Sequence, residues 1–233
     1  MENKKRNSFY INYKFCFENG EEKVFPLDID SDSLSLITDF GAEHPEWTKT
    51  KNIGCEDCST GETYCKLALT IDYFIKQFDK IPSYENVKVY VETENRTYFK
   101  QTSAQAAVGA IFGILMTTSG CPILGKLKPM VKYHLPFADI EETEYRVFSM
   151  YMLLQYFRHT KGLKTDFDME ELKATYEQIR KINVKIAKSI ANLEKMDTSI
   201  NAVVVLNNFA DSVTFSLESK LDDIEKLFNN WLE

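Results

Sequence analysis

Hydrophobic and polar residues alternate with a period of two near the start of the chain. Between residues 9 and 17 the apolar side chains fall on every second position, and Asn19-Gly20 follows as a turn that tolerates positive φ. Residues 23–29 return as a second strand. Pro26 within this strand indicates an edge position, because proline cannot donate a ladder hydrogen bond. The pattern therefore predicts a β-hairpin.

A second hairpin is predicted further along the chain. Residues 87–91 and 96–100 alternate in the same way, and Glu94-Asn95 supplies the turn. Between the hairpins, residues 64–78 place their apolar side chains on one helical face. Together the two hairpins predict an antiparallel sheet of about four strands.

From residue 102 onward the periodicity is helical. Thr102-x-x-Gln105 is a capping-box pattern, and Asp139-x-x-Glu142 is another, which opens a helix to about His159 with Gly162 beyond its end. Apolar and aromatic residues surround this second helix on all sides, which predicts a central, buried position.

Two apolar seams with spacings of four and three residues follow. One covers residues 172–193 with a polar break at Asn183, and the other covers 213–231; a short helix at 197–209 is expected between them. The seams predict antiparallel packing within the chain, or a homodimer through the 172–193 and 213–231 helices. The fold class expected is α+β, one domain over 1–233, with a sheet half at 1–101 and a helical half at 102–233.

Composition and charge predict a globular protein and exclude some classes of partner. The chain has 233 residues, of which 44% are hydrophobic, and a net charge of −7, so a sizeable core is expected and a phosphate-backbone or other nucleic-acid partner is not. Residues 101–125 carry no formal charge, but their continuously apolar part is far shorter than the roughly 20 residues that span a bilayer. Without a secretory signal pattern either, we expect a soluble, cytoplasmic protein with no membrane contact.

The sharpest chemical signal is the pair Cys55 and Cys58, followed by Cys65. In a reducing compartment such clustering favours a metal site over disulfides, and a C-x₂-C loop lets two thiolates reach one cation. A closed tetrahedral site needs a fourth ligand, for which Cys121 is the first candidate and His134 the second. Cys16 lies on an alternating strand and is expected to be a small buried hydrophobe.

Zinc is the expected metal, acting as a structural ion in a protein that functions by binding a protein or small molecule. An iron–sulfur cluster or a metal-dependent redox enzyme or sensor using the same cysteines is the alternative, and a helical interaction module without metal is a third. No catalytic motif of the common hydrolase or nucleotide-binding kinds occurs, so enzyme activity stays open and no catalytic residue is predicted. Arg146 and Arg158 are expected to pair with nearby acids and to form no anion site.

Several short motifs resemble an uncharacterised bacterial domain family. They are Thr118-Ser119-Gly120-Cys121-Pro122, Lys128-Pro129-Met130, His134-Leu135-Pro136-Phe137 and Glu141-Glu142-Thr143, together with Pro45-Glu46-Trp47-Thr48, the C-x₂-C loop with Cys65, and Asn201-Ala202. The family has no assigned activity, so the resemblance supplies no reaction. It implies that the cysteine loop, Cys121 and His134 belong to one site.

Overall fold

The computed structural model describes residues 7–41, 43–55, 58, 60–193, 197–218 and 221–232. An N-terminal antiparallel sheet is followed by a mainly helical region, which confirms the α+β fold class. The strands are β1 (Ser8–Phe17), β2 (Glu22–Asp30), β3 (Asn86–Thr93) and β4 (Thr97–Ser103).

The sheet has the order β2-β1-β3-β4, with every neighbouring pair antiparallel. Both predicted hairpins are confirmed, and β2 lies at an edge as Pro26 indicated, since Pro26 pairs with Asn12 on one side only. The inward face of β1 packs on the helix that follows the cysteine loop: the Phe15 and Phe78 rings lie 5.1 Å apart in an edge-to-face contact.

Helices supply the remaining layers of the fold. They are α1 (Thr50–Ile53), α2 (Lys66–Gln77), α3 (Ala104–Thr118), α4 (Pro129–Lys132), α5 (Ile140–Thr160), α6 (Glu170–Ala191), α7 (Asp197–Glu218), α8 (Asp222–Glu225) and α9 (Asn229–Leu232), with single 3₁₀ turns at Glu46–Thr48, Leu124–Leu127 and Lys226–Phe228.

The two predicted capping boxes have different outcomes. At α3 the N-cap is Ser103 and makes no side-chain cap hydrogen bond, so the prediction at Thr102 was wrong. Thr102 pairs with Val87 as part of β4, which commits it to the sheet. At α5 the box is confirmed: the Glu142 amide donates to Asp139 Oδ1 at 2.8 Å, and the Asp139 amide donates to Glu142 Oε2 at 2.9 Å.

We expect Asp139→Ala to lower the free energy of unfolding by about 1 kcal/mol, because the first turn of α5 then loses its side-chain acceptor. Urea denaturation monitored by circular dichroism measures the change. Asp139→Asn is the matched control, since asparagine caps as well as aspartate and is expected to keep most of the stability. Equal stability of the alanine variant and the wild type would contradict the role given to this cap.

The position of α5 differs from the prediction. Its buried residues are Val147, Phe148, Tyr151 and Gln155, whereas Tyr156 and other large apolar side chains of the same helix are exposed. The helix packs through one face, on α7 and α4, and is therefore not central. Apolar residues all round a helix indicated burial, but among the described residues only one stripe of this helix is buried.

The seam of α6 is confirmed, because its apolar residues between Leu172 and Ile190 are buried against α7. The boundaries of the last helices were predicted wrongly. One continuous helix, α7, covers 197–218, and Leu221 with a φ of 61° precedes only the short α8. Trp231 at the C-terminal end of the described chain is exposed. A homodimer through the 172–193 and 213–231 segments stays a prediction.

By length and composition α7 could cross a membrane, a property that core helices of soluble proteins share. In this fold α7 packs against α3 and α6. The close approach to α3 uses small residues: a Cβ added at Gly109 would lie 3.6 Å from the Ala202 carbonyl oxygen. Gly109 and Gly113 of α3 have the G-x-x-x-G spacing, and this spacing serves helix packing within the chain.

Candidate functional site

The C-x₂-C loop leaves α1 through a left-handed turn. Gly54 has a φ of 66°, a conformation that glycine adopts without steric cost, and it caps α1 immediately before Cys55. The Cys58 amide donates to the Cys55 carbonyl at 3.4 Å, so these two residues lie close together. Glu56 and Asp57, which separate them in sequence, lie outside the described residues.

Cys65 is the N-cap residue of α2. Its amide donates to the Thr48 carbonyl at 2.8 Å, and a β-bridge joins Lys49 to Tyr64. These backbone contacts close the loop at its base, so that the segment before Cys55 and the segment before Cys65 run side by side.

Cys121 approaches the same region from the end of α3. Gly120 has a φ of 91°, and a Cβ added there would lie 3.2 Å from the Cδ atom of Lys66. The turn that carries Cys121 therefore lies against the start of α2, next to Cys65. Cys55, Cys65 and Cys121 are all partly buried and pack against the hydrophobic core.

The four thiols influence one another electrostatically. Burial raises the pKa of Cys55 to about 11, and charges on Cys65, Cys121 and Cys58 act in the same direction, whereas Lys185 opposes them. Burial also raises the pKa of Cys65, while the backbone amides of Leu67 and Ala68 at the N-terminus of α2 lower it. The raised pKa values keep Cys55 and Cys65 protonated at neutral pH, and a cation could replace those protons.

All five cysteines are free thiols. Within the described ranges, no three or more His, Cys, Asp or Glu side chains form a group that could hold a metal ion as they stand. Cys16 lies apart from the cluster on the less buried face of β1, where its Sγ lies 3.6 Å from Glu22 Oε1, so the expectation of a buried Cys16 was wrong.

His134 has different neighbours from the cysteines. Its Nε2 atom lies 2.6 Å from the hydroxyl oxygen of Tyr13 on β1, and the groups that set its pKa are its own burial, first, and the charge of Arg146. Both favour the neutral imidazole and lower its pKa to about 3. His134 lines an apolar cavity between the helices, bounded also by Arg146 and Asn183.

Three residues at the thiol cluster or on the cavity wall were not predicted from the sequence. Lys185 on α6 donates from Nζ to the Gly54 carbonyl and acts on Cys55, 130 positions away in sequence order. Tyr176 and Asn183 were interpreted only as seam positions of α6, yet both line the cavity. No local pattern could have indicated these roles, since each depends on how α6 packs against distant segments.

The sheet and the helices define an α+β protein, in which Cys55, Cys65 and Cys121 pack against the same hydrophobic core. Residues 11–229 match the family described as Domain of unknown function (DUF6901), and the chain belongs to that family. No curated protein and no solved structure shows a significant match.

Proposed function

We propose that the protein binds a metal ion, zinc, through Cys55, Cys58, Cys65 and Cys121, and that it acts in the reducing cytoplasm by binding a partner. The observation that carries this proposal is that charges on Cys58, Cys65 and Cys121 all act on Cys55, while the turn before Cys121 lies against the start of α2. Four thiolates suit the tetrahedral preference of structural zinc.

A bound cation would also relieve an unfavourable arrangement of charge. Burial and mutual repulsion oppose ionisation of Cys55 and Cys65, so four thiolates are stable together only around a positive ion. Such an ion would join the C-x₂-C loop to α2 and to the end of α3. Its binding free energy would then stabilise the fold, and its affinity would rise with pH as the thiols lose protons.

The test is the metal content of protein purified without oxygen or chelators, measured by elemental analysis together with a visible spectrum. We expect about one zinc per chain in the wild type and its loss in Cys58→Ser. Cys16→Ser is the matched control and should keep its zinc, because this thiol lies on β1 away from the cluster. Wild-type protein that stays free of metal after incubation with zinc would overturn the proposal.

Two further variants identify the fourth ligand and the kind of centre. Loss of zinc in Cys121→Ser with retention in His134→Gln is the expected result. The reverse would assign the fourth position to His134, against the proposal. Iron with a matching amount of sulfide, in a coloured protein, would identify the centre as an iron–sulfur cluster instead of zinc. The search would then turn to redox partners.

A further inference from the structure

An apolar cavity lies between α3, α6 and α7, separate from the thiol cluster. Its volume is about 360 Å³, within the range of small-molecule sites. Small residues of α3, including Ala110 and Gly113, form one wall, and Leu206 and Phe209 of α7 form another. Most of its surface is therefore suited to an apolar body.

Arg146 places a cation on the cavity wall. Arg146 donates from Nη2 to the carbonyl oxygens of Met130 and Tyr133, at 3.0 and 3.1 Å. Among the described residues no carboxylate forms an ion pair with Arg146. The charge of Glu142 acts on the guanidinium, but the carboxylate of Glu142 accepts a hydrogen bond from the Asp139 amide. The guanidinium keeps further N–H donors for an anion, and arginine stays charged at any physiological pH.

The side-chain carbonyl of Asn183 is a second polar group on the cavity wall. Asn183 is 2% exposed, and its Oδ1 atom is buried without a hydrogen-bond partner in the described structure. Such a group is costly unless something donates to it. Tyr176 lies seven positions earlier on α6, close enough to Arg146 to be affected by its charge, so Asn183 lies about 10 Å further along the helix axis.

The charge on the cavity wall differs in sign from that of the whole chain. Arg146 and Lys100 are cationic, and the carboxylate of Asp139 already accepts the Glu142 amide at the start of α5. The wall thus has an excess of one positive charge in a protein whose net charge is −7. This excess favours an anion at the cavity wall although the net charge of the chain is negative.

We infer that this cavity binds an organic acid with an apolar body. The anionic group would accept hydrogen bonds from Arg146, the body would lie along α3 and α7, and a donor on the ligand or a bridging water would satisfy Asn183. This binding site is independent of the proposed metal centre, and its occupant would be the small-molecule partner of the protein.

Isothermal titration calorimetry of the full chain tests the inference. The probes are decanoate, with an aliphatic body, naphthoate, with an aromatic one, and the uncharged decanol. At least one acid should bind saturably, and decanol should bind at least about tenfold more weakly than decanoate if the aliphatic acid is the ligand, because it lacks the charge that Arg146 pairs with. Failure of both acids to bind would overturn the inference, as would decanol binding as tightly as a decanoate that binds saturably.

Three variants locate the site. Arg146→Met should weaken binding of the acid at least about tenfold, whereas Arg158→Met on the same helix, whose guanidinium pairs with Glu171, should not change it. Ala110→Leu fills the cavity and should abolish binding while the protein stays folded, which keeps the inference testable if Arg146→Met fails to fold. Unchanged affinity in a folded Ala110→Leu protein would place the ligand elsewhere.

Discussion

Acidification is expected to destabilise the protein through His134, by about 3 kcal/mol between about pH 7 and about pH 4. The folded protein holds the pKa of His134 near 3, while in the unfolded chain it returns to the ordinary value of 6.5. Below about pH 6.5 the imidazole of His134 is protonated in the unfolded chain but stays neutral in the folded protein. Stability is therefore complete above about pH 6.5 and is lost as pH falls toward the pKa of the folded state.

Urea denaturation across this pH range measures the effect. His134→Gln keeps a hydrogen-bonding group near Tyr13 but cannot titrate, so its stability should fall less steeply with acid than that of the wild type. Carboxylates contribute the same slope to both proteins, and the difference between the two curves isolates His134. His159→Gln, on the exposed end of α5, should follow the wild type. Parallel curves for wild type and His134→Gln would show that His134 does not carry the effect.

Local signals account for the elements that the sequence predicted correctly. The alternation of residues 9–17 and the Asn19-Gly20 turn are sufficient for the first hairpin, and the box at Asp139 needs only four residues. The strand order could not be predicted, because β1 pairs with β3 across more than sixty residues of intervening chain. Thr102 shows the same limit: its pattern suits a helix cap, but pairing with Val87 takes it into β4.

The candidate site likewise has parts that local sequence predicts and parts that depend on tertiary packing. Spacing alone brought together Cys55, Cys58 and Cys65, since all three lie within one loop and the helix start that follows it. Cys121 was expected from its Gly-Cys-Pro turn, whereas its position beside α2 depends on how α3 packs. Arg146 and Asn183 belong to different helices, and each pattern indicated an ordinary surface or seam residue. Their joint position on one cavity wall is a property of the tertiary structure.

The cysteine loop is held in place by a buried carboxylate on α2. Asp72 is 5% exposed; its Oδ1 accepts from the indole nitrogen of Trp47 at 2.7 Å, and its Oδ2 lies 2.9 Å from Lys76 Nζ. Trp47 directly precedes Thr48, whose carbonyl receives the Cys65 amide. A substitution at Asp72 is therefore expected to alter the position of the cysteine loop through Trp47 and Thr48.

We expect Asp72→Ala to lower the free energy of unfolding by about 2–3 kcal/mol, because the indole N–H loses its buried acceptor. Glu43→Gln is the matched control: it removes the other, exposed partner of Lys76 and should change stability by less than about 0.5 kcal/mol. Urea denaturation gives both values.

Thiol reactivity of Asp72→Ala distinguishes local loosening of the cysteine loop from global unfolding. If Asp72 positions the loop, Asp72→Ala should increase the rate at which Cys55 and Cys65 react with a thiol reagent under conditions where the protein stays folded. Cys16, on the opposite side of the sheet from this anchor, should react at an unchanged rate. Equal acceleration at all cysteines would mean that the substitution only promotes global unfolding, and the anchoring role would then be wrong.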